Sequence, residues 1–263
     1  MVIDFHTHAF PQKIAEKAMK VLRHNAGNID PYTNGTVESL EAYMARSGVD
    51  CCVLLNIATN ARQQRSVNDF SIAVNREPVI SFGSVFPGAP DALEELERLK
   101  AAGVKGIKLH PDYQKFFVDD PAVFPIYRKT AELGMITVFH SGVDIEYFEP
   151  VHCTPERLRR VLPEFGDAPV VAAHMGGYLC WYDVEKYLVG QNVYLDTAFS
   201  YGRMPREHAR RIMLNHGVEK VLLGSDLPWS GTHHEIQFIR SLELTPEQEA
   251  AVLGGNAERL LGL

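Results

Sequence analysis

The segment Pro90–His110 reads PDALEELERLKAAGVKGIKLH, and its two halves have different characters. The first half places acids early and bases late, the order that complements a helix dipole, and Gly103 closes it. The second, Val104–His110, is a short apolar run ending in histidine, which predicts a strand. Similar runs occur at Val2–His8, Asp50–Ile57, Val79–Phe86, Met135–His140, Val170–His174, Val193–Ala198 and Val221–Asp226. Most are apolar throughout instead of alternating, as strands covered on both faces are. Their starts lie roughly 31 residues apart on average, which suits one βα unit per interval. Helices are expected between them, from about Gln12 to His24 and at Thr36–Ser47, Asp120–Leu133, Thr154–Leu162 and Leu244–Gly254. The last two open TPER and TPEQ, read as capping boxes with proline at the first helical position.

Eight strands alternating with helices leave a closed (β/α)8 barrel or an open doubly wound sheet. No G-x-G-x-x-G or G-x-x-x-x-G-K-[ST] segment follows any run, which removes the usual signature of the nucleotide-binding open sheet. The expectation is a single α/β TIM barrel spanning residues 1–263, with its site at the carboxyl ends of the strands. Lys and Arg number 26 against 33 Asp and Glu, and no basic run occurs, so nucleic acid is not expected as a partner. No apolar stretch reaches the roughly 18 to 20 residues of a membrane span. The opening MVIDFH lacks the basic and apolar order of a secretory leader, and Cys51, Cys52, Cys153 and Cys180 make no disulfide framework. A cytoplasmic location is the expectation.

Histidines and acids gather where the runs end: DFHTH, IKLH, TVFHSG, VAAHMGG and LLGSD. His6 and His8 are two apart on one strand and therefore share a face. Imidazole and carboxylate suit a divalent transition metal, and three His with one Asp leave room for the water of a catalytic site. The candidate ligands are His6, His8, His140 and Asp226. Each has a plainer reading: an isolated H-x-H is weak, a strand-ending histidine such as His110 is commonly structural, and Asp226 could cap the turn before Pro228. The metal reading rests on five such ends coinciding on one face.

These motifs, with LGSDLPW and the tail GGNAERLLGL, resemble the amidohydrolase superfamily, specifically its amidohydrolase-2 group of metal-dependent TIM-barrel proteins, from Asp4 to Leu263. The resemblance implies metal ligation by His6, His8, His140 and Asp226. It implies for His174 either a second metal or a hydrogen bond to the bound water. Binuclear relatives carry a carboxylated lysine at the end of the fourth strand. Lys108 is the counterpart, either as that bridge or as a cation gripping an anionic substrate. The KLHP context resembles the mononuclear branch, so one ion is expected, Zn²⁺ first, with Mn²⁺ and Fe²⁺ accepted by the same donors.

The expected activity is hydrolysis of an amide, ester or lactone bond in a small carboxylated substrate. Asp226 then serves as general base and acid, His174 orients water or stabilises the oxyanion, and Lys108 and His110 bind substrate. Non-oxidative decarboxylation is the alternative, since the ligand set would be nearly identical. A metal-stabilised barrel without catalysis is the third reading. A homodimer is the base-rate expectation. Asp196 and Asp4 are candidates to support the site, and Tyr178, Trp181 and Trp229 line a pocket or pack in the core. Arg203 reads as a solvated loop residue. His24, His152, His208 and His216 are expected on the surface or on helices, and His233 and His234 at a solvent-exposed helix start. The segments Ala26–Gly35 and Gly142–Cys153 read as loops, either lids or plain surface connections.

Overall fold

All eight runs form strands in the computed structural model, which describes residues 1–263, and each strand is shorter than its run. They are β1 Ile3–Thr7, β2 Cys51–Leu55, β3 Val79–Phe82, β4 Gly106–Leu109, β5 Ile136–Phe139, β6 Val170–Ala172, β7 Tyr194–Asp196 and β8 Val221–Leu222. Many of the trimmed ends remain buried, among them Asn56, Gly83–Val85, Ala173, Thr197 and Leu223–Ser225, because other elements satisfy their backbone. After β8, Leu223 donates to the Val252 carbonyl, Ser225 to the Asp4 carboxylate and Asp226 to the His6 carbonyl.

The chain divides into two compact units. The first comprises Met1–Leu54, Arg76–Ile80 and Asp196–Leu263. Within it β1 runs parallel to β2, with Ile3 opposite Cys51 and Asp4 opposite Cys52. On its other side β1 meets the chain at and beyond β8: the Phe5 N–H donates to Leu223 and the His8 N–H to Leu227, both at 2.7 Å. Parallel pairing of these two segments brings the carboxyl end of β1 beside the turn that carries Asp226.

The second unit comprises Leu55–Asn75 and Ser81–Leu195. There β4 pairs in parallel with β5 from Gly106 opposite Ile136 to Leu109 opposite Phe139, β5 with β6, and β6 with β7. Ile107, Leu109, Val138, Phe139 and Val171 are wholly buried. Tyr127 stacks on Phe165 at 4.7 Å and stands edge-on to Phe139 at 5.6 Å, sealing helix Phe124–Glu132 to the sheet.

Helices fall where expected with three corrections. Asp120–Leu133 is a 3₁₀ turn, Pro121–Val123, followed by the helix Phe124–Glu132. Thr154 caps its helix by accepting the Arg157 N–H, but the third helical residue is arginine, so the reciprocal half of a capping box is missing; Thr245 and Gln248 form the complete box. Leu244–Gly254 resolves into Pro246–Ala250, a π-helical turn Ala251–Gly255 and Asn256–Leu261.

Cys51, Cys52 and Cys153 are buried and form no disulfide, and burial pushes the Cys153 thiol up to about 12. No helix is long and apolar enough to cross a membrane.

Candidate metal centre

The first unit brings His6, His8 and Asp226 together, with one donor atom from each within 4.8 Å of the others. Asp226 Oδ1 lies 3.1 Å from His8 Nε2 and 3.5 Å from His6 Nε2. His6 is turned this way from behind: its Nδ1 meets the buried Asp196 Oδ2 at 2.9 Å. That contact places the His6 proton on Nδ1 and aims the Nε2 lone pair at Asp226, the carboxylate–histidine arrangement typical of metal ligands. Two imidazole nitrogens and a carboxylate oxygen, one backed by a carboxylate, fit a divalent transition ion. Packing leaves no slack, since a Cβ on Gly224 would lie 2.9 Å from His6 Cβ and 3.2 Å from that of Asp196.

Asp4 fastens this trio together. Its carboxylate accepts the Ser225 N–H (2.9 Å) and hydroxyl (2.6 Å), the Thr232 hydroxyl (2.5 Å) and the His6 N–H (3.2 Å). Complete burial outweighs those four bonds and raises its pKa to about 6. Asp226 itself has φ of +69°, the left-handed region that is costly for a residue with a Cβ.

The second unit holds the other candidates. His140 Nδ1 meets His174 Nε2 at 3.0 Å, and His174 also has a positive φ, +60°. His110 accepts the Tyr113 N–H at Nδ1 (3.3 Å), which leaves its proton on Nε2, 3.5 Å from Asp144 Oδ2. Asp144 Oδ2 is also 3.8 Å from His140 Nε2. Burial would raise the Asp144 carboxyl, but the hydrogen bond from His110 and the N–H groups of Glu146 and Tyr147 hold it below the usual range. Although these three side chains offer donors within 4.8 Å, the His110 and His140 rings are parallel, 4.1 Å apart at 10°. Their in-plane lone pairs therefore do not converge, and Asp144 serves as a hydrogen-bond acceptor instead of a third ligand. Lys108 is buried on β4, on the face it shares with His110.

Four residues, His152, His233, His234 and Asp144, have places that differ from the sequence expectation or lay beyond it. His152, expected on the surface or on a helix, is gripped through Nδ1 by the buried Asp112 at 2.8 Å. His233 and His234 start the helix Thr232–Arg240 as expected but are half-buried, bonded to the hydroxyls of Tyr43 and Tyr32. Asp144 carried no local signal: only the fold returns its loop to β4. Trp181 is buried and donates to the His174 carbonyl, and His208 and His216 are buried on the helix Arg206–His216.

Glu235, wholly buried beneath this region, accepts the Tyr201 N–H and the Ser230 hydroxyl. Burial raises its pKa well above 4.5. Across the window from 4.5 up to the folded value, the native state keeps a proton that the unfolded chain has released. Its contribution to stability is therefore full below 4.5 and lost as pH rises through that window. Urea midpoints measured across that range are expected to fall with rising pH, and less steeply in Glu235→Gln. Equal slopes in the two proteins would refute this.

The amidohydrolase family matches residues 3–263, and the chain belongs to that family, in its amidohydrolase-2 group. Its members are enzymes that use a divalent metal, both hydrolases and decarboxylases. Among solved structures, an uncharacterised TIM-barrel protein from Bordetella bronchiseptica is 21% identical, with 99% of this chain and 98% of that one covered and a TM-score of 0.76. The 5-carboxyvanillate decarboxylase of Sphingomonas paucimobilis is 18% identical, covering 100% and 99% at 0.74. A probable 2-pyrone-4,6-dicarboxylic acid hydrolase from Acinetobacter baumannii, with citric acid bound, is 18% identical, covering 100% and 99% at 0.68. These likenesses establish the fold as that of the TIM-barrel proteins.

Proposed function

We propose that the chain is a metal-dependent hydrolase that cleaves an amide, ester or lactone bond in a small carboxylated substrate. The observation that carries this reading is the meeting of His6 and His8 on Asp226, with the far nitrogen of His6 fixed by Asp196. In the proposal these three side chains and His140, the histidine of the family-like FHSG segment, hold one divalent ion, Zn²⁺ first. When bound, the ion supplies Lewis acidity that polarises a carbonyl and acidifies water. The Asp226 carboxylate takes the proton of the attacking water and passes it to the leaving group. His174 orients that water or donates to the developing oxyanion. The Lys108 ammonium and His110 hold the substrate carboxylate.

Decarboxylation is a second reading, favoured by the buried cation of Lys108 and by the likeness to the carboxyvanillate enzyme. The deciding experiment loads chelator-treated protein with Zn²⁺ or Mn²⁺. It is then offered lactones and esters of dicarboxylic acids in parallel with hydroxybenzoates. Metal-dependent acid release without carbon dioxide is expected. Carbon dioxide release from the hydroxybenzoates would replace hydrolysis with the second reading, and neither product from metal-loaded protein would defeat both.

A further inference from the structure

We infer that the cavity beside the helix Gln12–Asn25 is a socket for the loop Glu146–Glu149 of a second copy of this chain. This contact is independent of the chemistry proposed above.

The socket lies in the first unit. Its helix carries Lys13, Lys17, Lys20 and Arg23 against one acid, Glu16, in a chain whose acids outnumber its bases 33 to 26. Lys13, Lys17 and Lys20 recur at helical spacing as one exposed stripe, and no acid of the chain pairs with them. Ile14 and Val21, two turns apart, run beside that stripe, and each is 51% exposed. Over the last turns of the helix a cavity of about 630 Å³ opens, with Met19, Val21 and Pro31 as its apolar wall and Lys20, Arg23 and His24 around them. Arg23 is engaged by Asp30, so Lys20, with Lys17 one turn behind it, is the cation that can meet an anion there. Repulsion of an acidic guest by the helix end is reduced, because the N–H groups of Ala26, Gly27 and Asn28 occupy the carbonyls of Leu22, His24 and Arg23.

The guest lies in the second unit. The stretch from Asp144 to Glu149, DIEYFE, holds three acids and no base. Tyr147 and Phe148 at its tip are 38% and 63% exposed, and Glu149 stands in solvent beside them. The base of the loop is fixed. Val143 donates to the Tyr178 carbonyl and Tyr178 to that of Ser141, while Asp144 Oδ1 accepts the N–H groups of Glu146 (2.7 Å) and Tyr147 (3.1 Å). An aromatic tip carried on a fixed base suits an interface anchor, because little order remains to be lost on docking. Leu179 and Tyr182, 56% and 79% exposed, flank Cys180, which the Val143 backbone bonds, so they widen the same apolar surface. The two surfaces are complementary: Phe148 takes the apolar wall of the cavity, and Glu146 and Glu149 take Lys17 and Lys20. Each leaves large apolar side chains in water until the other covers them, and both are present in every copy.

Sedimentation velocity of the full-length protein tests this contact. The parent is expected to self-associate with a Kd on the order of 10 μM, as suits an interface at the small end of the size range. Phe148→Ser, which blunts the guest, and the double variant Lys17→Glu/Lys20→Glu, which reverses the charge of the socket, are each expected to associate about a hundredfold more weakly. The three substituted side chains are exposed, so the fold persists, as circular dichroism would verify. Mixing the two variants in equal amounts restores one intact contact, the loop of the lysine variant in the socket of the Phe148→Ser chain. Pairs in 1:1 ratio are therefore expected in the mixture, where neither variant forms them alone. Three results would each overturn the proposal: a parent that stays monomeric at about 100 μM, either variant associating as the parent does, or a mixture no more associated than its components.

Discussion

Asp226→Asn is expected to lower turnover by about 10²- to 10⁴-fold, the range for removing a positioned acid–base group, while the protein stays folded. Two features make the position demanding. Its Oδ1 lies within 3.5 Å of both His6 Nε2 and His8 Nε2, the nitrogens with which it would share an ion. Its backbone is held at φ +69° by its N–H bond to the His6 carbonyl, a conformation asparagine tolerates well. The amide therefore keeps the shape and removes the proton acceptor. Steady-state rates should be measured with metal content determined on the same preparation, because weaker metal retention alone would mimic the loss. A metal-loaded Asp226→Asn enzyme with parental turnover would remove Asp226 from proton transfer. Asp226→Ala is a poorer probe, since alanine is strained at positive φ.

The eight strands were legible because buried parallel strands are apolar on both faces, and nothing else in the chain has that composition at that length. Their ends were not legible, because the chain past β8 stays apolar and buried after the ladder stops. The helix Ala61–Val74 escaped for the opposite reason. Its buried face carries Gln64, Asn68 and Ser71, whose side chains satisfy the backbone at Phe82, Ser84 and Phe86, so hydrophobic periodicity is muted. In the candidate site, residues ending strands could be named from spacing alone. Asp196 could be named as a support for the site, but its pairing with His6, 190 positions away, could not, nor could that of Asp112 with His152, 40 apart. Such pairs are set by strand order and loop return, which leave no local pattern. The exposed helix start expected for His233 and His234 failed because a tyrosine from the loop after β1 and another from helix Val37–Ser47 close over it.

The second large effect is expected at Asp196, a residue that touches no substrate in the proposed chemistry. Its carboxylate fixes the His6 ring by one 2.9 Å bond between two side chains that are almost wholly buried. Without it, His6 can place its proton on Nε2 and lose the lone pair that the ion needs. Asp196→Asn keeps an acceptor oxygen but removes the charge that strengthens the bond and raises the basicity of His6. Calorimetric titration of chelator-treated protein with Zn²⁺ is expected to show affinity about 10- to 100-fold weaker than the parent, the usual cost of removing a carboxylate behind a ligand histidine. Asp196→Ala should do worse, because the buried Nδ1–H and the Ala198 N–H then both lose their acceptor. The direction separates two roles for this carboxylate. If Asp196 only braces β7, both variants lose thermal stability in the metal-free state and bind Zn²⁺ with parental affinity. If it tunes His6, Asp196→Asn retains most of the metal-free stability and loses metal. Parental Zn²⁺ affinity in a folded Asp196→Asn protein would therefore take His6 out of the ligand set, and with it the trio on which the hydrolase reading depends.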